Sequence, residues 1–120
     1  MIDPIFKKRL FEFAKGVITI TDRMDNGKNS ERILGGQLIR SGTSIVANII
    51  EAQAGRTKKD FINYFHYSLK SANETMFWIK LLIDTNKINS VNGNKLLKEA
   101  REISNIIAAS ILTIKGKRNL

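Results

Sequence analysis

The sequence predicts an all-α chain, an antiparallel up-down-up-down four-helix bundle. Apolar residues recur at spacings of three and four in four separate stretches. Short segments rich in Asn, Gly, Asp and Lys separate those stretches. The one proline, Pro4, stands at the very start, so no proline interrupts a later helix. No alternating strand pattern competes, no internal repeat is evident and no segment is low-complexity. The 120 residues read as a single domain, large enough to bury a real core.

Asp3-Pro4 opens the first helix, with the acid ahead of it and the proline in its first turn. Ile5, Phe6, Leu10, Phe13, Val17, Ile20 and Met24 form one stripe, so the helix runs from about Ile5 to Met24. Gly16 weakens it locally by up to ~1 kcal/mol relative to Ala. Residues 25–29 are a loop by composition.

Ser30 is the expected N-cap of the second helix, with Glu31 near its positive end. Ile33, Leu34, Leu38, Ile45, Ile49 and Ala52 lie along one side, widened by Ile39, Val46 and Ile50. Gly35, Gly36 and Gly42 fall inside this helix and together cost roughly 2–3 kcal/mol against Ala. Either close helix–helix approach compensates, or the helix breaks near Ser41-Gly42. Ala54-Gly55 ends it, with Gly55 suited to the left-handed position after a helix.

Thr57 caps the third helix, and Asp60 is a shorter version of the capping-box acid. The helix spans about Lys58 to Thr85, roughly 40 Å. Phe61, Phe65, Leu69, Ala72, Met76, Ile79 and Ile83 make its inward stripe. Phe77, Trp78, Leu81 and Leu82 add a second, leaving the last turns apolar nearly all round. A helix like that is covered on more than one side. These four residues are therefore the expected interface with further copies of the chain. Residues 86–90 make a short connection of the kind that joins antiparallel neighbours. Asn89 or Ser90 caps the fourth helix, whose main stripe is Leu96, Ala100, Ile103, Ile107, Ile111 and Ile114. Leu97, Ile106, Ala108 and Leu112 spread beyond it, and the basic tail 115–118 frays.

The composition narrows the function classes. Twenty Lys plus Arg against eleven Asp plus Glu give a net charge of +9. Such an excess favours polyanions through long-range attraction and counterion release, or serves solubility alone. With no cysteine, disulfides, thiolate metal sites and Cys nucleophiles are excluded. No signal-like segment and no run of membrane-spanning length is present, so a cytoplasmic protein without membrane contact is expected.

The search for chemistry is mostly negative. A bundle di-metal site needs Glu plus Glu-x-x-His on facing helices. The chain has one histidine, His66, with Asn63 three residues before it. That histidine cannot support a multi-His zinc site. No phosphate-loop or dinucleotide-binding glycine pattern occurs, and Gly35-Gly36 sits in a helical context. Hydrolase triads lack their strand–turn–helix setting. The expectation is a protein that is not an enzyme and carries no cofactor and no metal.

Arg40, Ser41, Ser44, Asn48 and Glu51 form a polar stripe beside the apolar one on the second helix. It reads as a hydrogen-bonded seam, in which Arg40 could meet Glu51 or Glu74, or as a nucleic-acid-contacting face. Basic residues cluster in three places: Arg56, Lys58 and Lys59 at the corner between helices two and three, Lys95, Lys98 and Arg101 on helix four, and Lys115, Lys117 and Arg118 in the tail. These nine are the candidate nucleic-acid contacts, and the helix start near Thr57 could also receive a phosphate. Phe61, Phe65 and Trp78 read as core or interface, and Tyr64 and Tyr67 as more exposed.

The segment from Gln37 to Ala52, with its spacing Gln-x-x-Arg-Ser-x-x-Ser-Ile-x-x-Asn-Ile-x-Glu, carries a family resemblance. So do Lys59-Asp60-Phe61-Ile62, the run Leu69 to Thr75, and Trp78. The chain resembles the four-helix bundle proteins encoded in intervening sequences of bacterial 23S ribosomal RNA, the S23 ribosomal protein-like family. The two motifs cover about the middle third of the chain. The resemblance implies a small antiparallel bundle that assembles as a ring-like homopentamer, with no assigned catalytic residues. The chain is also similar to the accessory protein of diversity-generating retroelements, a basic pentameric barrel that binds nucleic acid and a reverse transcriptase. It departs from the pattern at Glu51-Ala52-Gln53-Ala54-Gly55, longer than the usual Glu-Gly ending, and at Asn73, where the similar branch has a basic residue.

Overall fold

Four helices account for the chain: α1 (Pro4–Asp22), α2 (Asn29–Ala54), α3 (Lys58–Asp84) and α4 (Ser90–Ile114). The structure, a computed structural model, describes residues 2–25 and 27–116. Three of the helix starts follow from one side chain each. Asp3 Oδ1 accepts the Ile5 N–H at 2.9 Å while Pro4 takes the first helical position. Thr57 Oγ1 accepts the Asp60 N–H at 3.0 Å. Asn89 Oδ1 accepts the Asn92 N–H at 3.0 Å, which makes Asn89 the cap and Ser90 the first helical residue. Each bond satisfies a backbone donor that the helix itself leaves without a partner.

The start of α2 differs from expectation. Its cap is Lys28, in extended conformation and with no side-chain bond, so Ser30 lies inside the first turn. The turn is made earlier, where Asp25 Oδ1 accepts the Gly27 N–H at 2.9 Å. The helical ladder has then begun by the Arg32 N–H bond to the Lys28 carbonyl. The end of α2 differs too: Gly55 is extended (φ −65°, ψ 144°), not left-handed. The reversal into α3 is made by bends at Arg56 and Thr57, without a left-handed residue. The left-handed residues are Gly116, at φ 72° after α4, and Asn86, at φ 57° after α3. There the Lys87 N–H bonds the Leu82 carbonyl at 2.9 Å and the Asn86 N–H bonds that of Ile83 at 3.0 Å. This pair of bonds closes the helix in the Schellman manner, with Asn in place of Gly.

Helix α2 is continuous through Ser41-Gly42. The missing side chain at Gly42 admits α1: a Cβ there would stand 3.0 Å from Val17 Cγ2. Gly93 does the same for α4 against α3, where a Cβ would meet Ile83 Cγ1 at 2.7 Å. Gly36 has nothing near it and faces solvent.

The helices form an antiparallel four-helix bundle, 47 × 24 × 21 Å overall. Each packs on two neighbours, most extensively α2 on α3 and least α1 on α4. The core is built from most of the predicted stripes: Ile5 and Ile33, in the first turns of α1 and α2, are exposed, whereas Leu10, Val17, Leu38, Ile45, Ile49, Ile79, Ile103 and Ile107 are fully buried. Leu82 belongs with them at 0% exposure, so it is part of the subunit core and not of a surface between copies. It follows Ala72, Thr75 and Ile79 at spacings of three and four, all of them buried, on the inward face of α3. Phe77 stands out at 56% exposure, with Trp78 and Leu81 half-buried. Among the described residues no helix is long and apolar enough to cross a membrane.

Candidate nucleic-acid interface

Because consecutive helices alternate in direction, the start of α1, the α2–α3 corner and the end of α4 meet at one end of the bundle. The contacts there are direct. One concavity is lined by Arg56, Thr57, Lys58, Phe61 and Ile114, joining the corner to the last turn of α4. A second is lined by Ile2, Phe6, Phe61, Phe65 and Ile114, adding the start of α1. Arg56, Lys58, Lys59 and Lys115 are all exposed at this end. Lys115 Nζ lies 3.3 Å from His66 Nε2. The candidate contacts Lys117 and Arg118 lie outside the described residues.

Two further cations join them, Lys7 and Lys8, exposed in the first turns of α1. Nothing local in the sequence links them to the corner; the antiparallel order of the helices does. The acids at this end are Asp3, Glu51 and Asp60. Asp3 is spent capping α1, and Asp60 lies in the first turn of α3.

Lys95, Lys98 and Arg101 sit elsewhere, in the first half of α4 toward the opposite end. Lys95 lines an open groove between α1 and α4 together with Lys15, Arg23, Glu12 and Glu99. Glu12 takes Lys15 at 3.2 Å, and Glu99 takes Arg9 at 2.6 Å. The nine candidate contacts therefore do not form one patch, and the described part of the densest group is the end of the bundle.

The polar stripe of α2 faces α3. Arg40 pairs with Glu74, not with Glu51, which stands three turns further along α2. The Arg40 Nε–H donates to Gln37 Oε1 at 2.9 Å, and the Trp78 Nε1–H donates to Glu74 Oε2 at 2.9 Å. The Trp78 bond, joined by the Arg40 guanidinium, holds the Glu74 carboxyl below the usual glutamate range against a smaller opposing effect of burial. Deeper in, the Ser41 and Thr75 hydroxyls lie 2.9 Å apart and the Ser68 hydroxyl donates to the Ile45 carbonyl at 2.7 Å. Asn48 Nδ2–H donates along its own helix to the Ser44 carbonyl at 2.9 Å. Glu51 is exposed and makes no ion pair among the described residues. Most of the stripe is thus engaged within the subunit. No group of three His, Asp or Glu able to hold a metal ion occurs among the described residues.

The model of the 23S rRNA-intervening sequence protein family matches residues 3–109, nearly the whole chain. The chain belongs to this 23S rRNA-intervening sequence protein family. A solved structure agrees: a protein of unknown function from the S23 ribosomal protein family of Bacteroides thetaiotaomicron VPI-5482. The two are 33% identical with a TM-score of 0.81, over 88% of this chain and 97% of that one. No curated protein matches the chain. For this member of the 23S rRNA-intervening sequence family, the matched region takes in the Arg40–Glu74 seam and the α2–α3 corner, and stops short of Lys115.

Proposed function

We propose that the chain is a non-enzymatic, homo-oligomeric basic bundle, a pentamer, that binds nucleic acid as a scaffold or accessory factor in the cytoplasm. RNA is the favoured class, in keeping with the family's description. The observation that carries the reading is the meeting of Lys7, Lys8, Arg56, Lys58, Lys59 and Lys115 at one end of a chain of net charge +9. Charges held on one surface release counterions together when a phosphate backbone docks.

The exposed apolar residues support assembly. α3 presents Phe77 with Trp78, their rings 4.8 Å apart. α1 and α2 present Phe11, Ile18, Ile39 and Ile50. Two unlike apolar faces suit a head-to-tail contact, which closes into a ring when the rotation allows. A ring of five would multiply the charge of +9 fivefold on one particle.

Filter binding of RNA and DNA across a salt series tests the binding, and light scattering tests the assembly. No retention at low ionic strength, or the mass of a 13.6 kDa monomer at micromolar concentration, overturns the respective half. A second reading, a protein-interaction module with incidental basicity, draws on the same Phe77, Trp78 and Arg40, residue types that dominate interface energetics. A reverse transcriptase is the partner the family resemblance suggests. A protein partner recovered by pull-down and insensitive to nuclease favours that reading.

A further inference from the structure

We infer that the basic end takes unpaired nucleotides, seating a base in the apolar groove that α1, α3 and α4 line there and its phosphate at the α2–α3 corner. This rests on the nucleic-acid binding proposed above. The groove encloses about 640 Å³ and is lined chiefly by Ile5, Phe6, Phe61, Phe65, Ile106 and Ile114. The corner concavity, about 400 Å³, carries Arg56 and Lys58. Phe61 and Ile114 line both, so an apolar surface and a cationic one share a single wall. A nucleotide has the same two halves, a flat base with a π face and an anion beside it.

The apolar half is already built. Phe61 stacks on Phe65 with ring centroids 4.5 Å apart and planes 24° from parallel, and Phe61 is only partly buried. Packing holds that ring pair in place, so little ordering remains for binding to impose. Ile5, on the groove wall, is 78% exposed, and covering it removes apolar surface from water.

Charge selects the occupant. Arg56 and Lys58 line the corner concavity, and Lys7, Lys8, Lys59 and Lys115 are exposed at the same end of the bundle, which suits a polyanion. The acid on the groove, Asp3, accepts the Ile5 N–H at 2.9 Å and is engaged with its own helix. A duplex keeps its bases stacked and paired, so it can touch the cations but cannot fill the groove. An unpaired strand can do both.

The test is fluorescence anisotropy with labelled single-stranded RNA, single-stranded DNA and an RNA duplex of equal length, across a salt series. The full chain and the variants Ile5→Ser and Phe61→Leu are compared, neither of which changes the charge. The wild-type chain should prefer either single strand to the duplex by about tenfold. Phe61→Leu should lose roughly 5- to 100-fold for single strands, the range of one base–aromatic stack, and Ile5→Ser roughly tenfold through lost apolar cover, with duplex affinity and salt slope unchanged. Ile5 is exposed, so Ile5→Ser carries the test if Phe61→Leu disturbs the fold. Equal affinity for strand and duplex, unmoved by Ile5→Ser, overturns the inference and leaves nucleic-acid binding standing. Absence of all binding at low salt overturns both. A change of light-scattering mass in Ile5→Ser shows that a second copy covers the groove, and also overturns the inference.

Discussion

Lys87 Nζ stands 3.3 Å from Glu31 Oε1, joining the first turn of α2 to the connection after α3. The Glu31 side chain is only 9% exposed, and its other oxygen, Oε2, is buried without a partner. Removing Lys87 strands a carboxylate in a low-dielectric setting. Lys87→Met should therefore destabilise by about 2 kcal/mol in urea unfolding. The double variant Glu31→Leu/Lys87→Met should recover most of that loss, because two apolar groups leave nothing unpaired. A double variant no more stable than Lys87→Met would contradict this account.

The glycines should separate by sign. Gly93→Ala pushes a methyl to 2.7 Å from Ile83 Cγ1, and overpacking of this kind costs about 1–3 kcal/mol. Gly36→Ala meets nothing within 4 Å and gains about 0.5–1 kcal/mol of helix propensity. Thermal melts of the two variants should shift in opposite directions.

Glu74 should give the fold an acid-sensitive component. Its carboxyl titrates below the ordinary value of 4.5 in the folded chain, chiefly because of the Trp78 hydrogen bond and then because of Arg40. A group depressed on folding stabilises fully above its unfolded pKa, and that contribution is lost as pH falls through the folded one. Stability should therefore decline below about pH 4.5, with a shallower acid limb in Glu74→Gln. Trp78 is the only tryptophan, so its fluorescence should follow the same titration and lose it in the variant.

Charge reversal should sort the cations by position. Lys58→Glu/Lys59→Glu should weaken RNA binding strongly and reduce the log–log salt slope by about 2. Lys98→Glu/Arg101→Glu, on the far half of α4, should change it much less. Equal effects would argue for diffuse attraction with no preferred end.

Phe77→Ser should lower the oligomeric mass without loss of helix by circular dichroism. Phe77 is 56% exposed within the subunit, so the fold does not depend on covering it. An unchanged mass would move the contact to another face.

Local signals in the sequence located helices well where a single capping side chain decides the start, as at Asp3, Thr57 and Asn89. They misplaced the start of α2, because Ser30 is a good cap by type but the Asp25–Gly27 turn had already directed the chain. Gly55 has the residue type of a left-handed ending, yet that conformation falls at Asn86, where α3 closes in the Schellman manner, and at Gly116 after α4. Leu82 was legible in principle, through its spacing from Ile79 and Thr75, but an apolar run hides which member faces inward. The basic end was only partly legible. Arg56, Lys58 and Lys59 are neighbours in sequence, whereas Lys7, Lys8 and Lys115 reach them through topology alone. Lys95, Lys98 and Arg101 parted from the rest of the candidate set because α4 runs toward the basic end and they lie in its first half.

That loosest seam is bridged at its middle by Arg9, which donates to both Glu99 and Glu102. Both carboxylates raise the guanidinium's affinity for its proton further, so alkali does not disarm the clasp by deprotonating Arg9. Dissolved ions can still weaken it, since Arg9 and Glu102 are a third to a half exposed. The first helix is then the blade of a penknife, held shut along one edge by a latch that brine loosens. Deuterium uptake along residues 4–22 should quicken with added sodium chloride, well before the pairing of the second and third helices begins to give way.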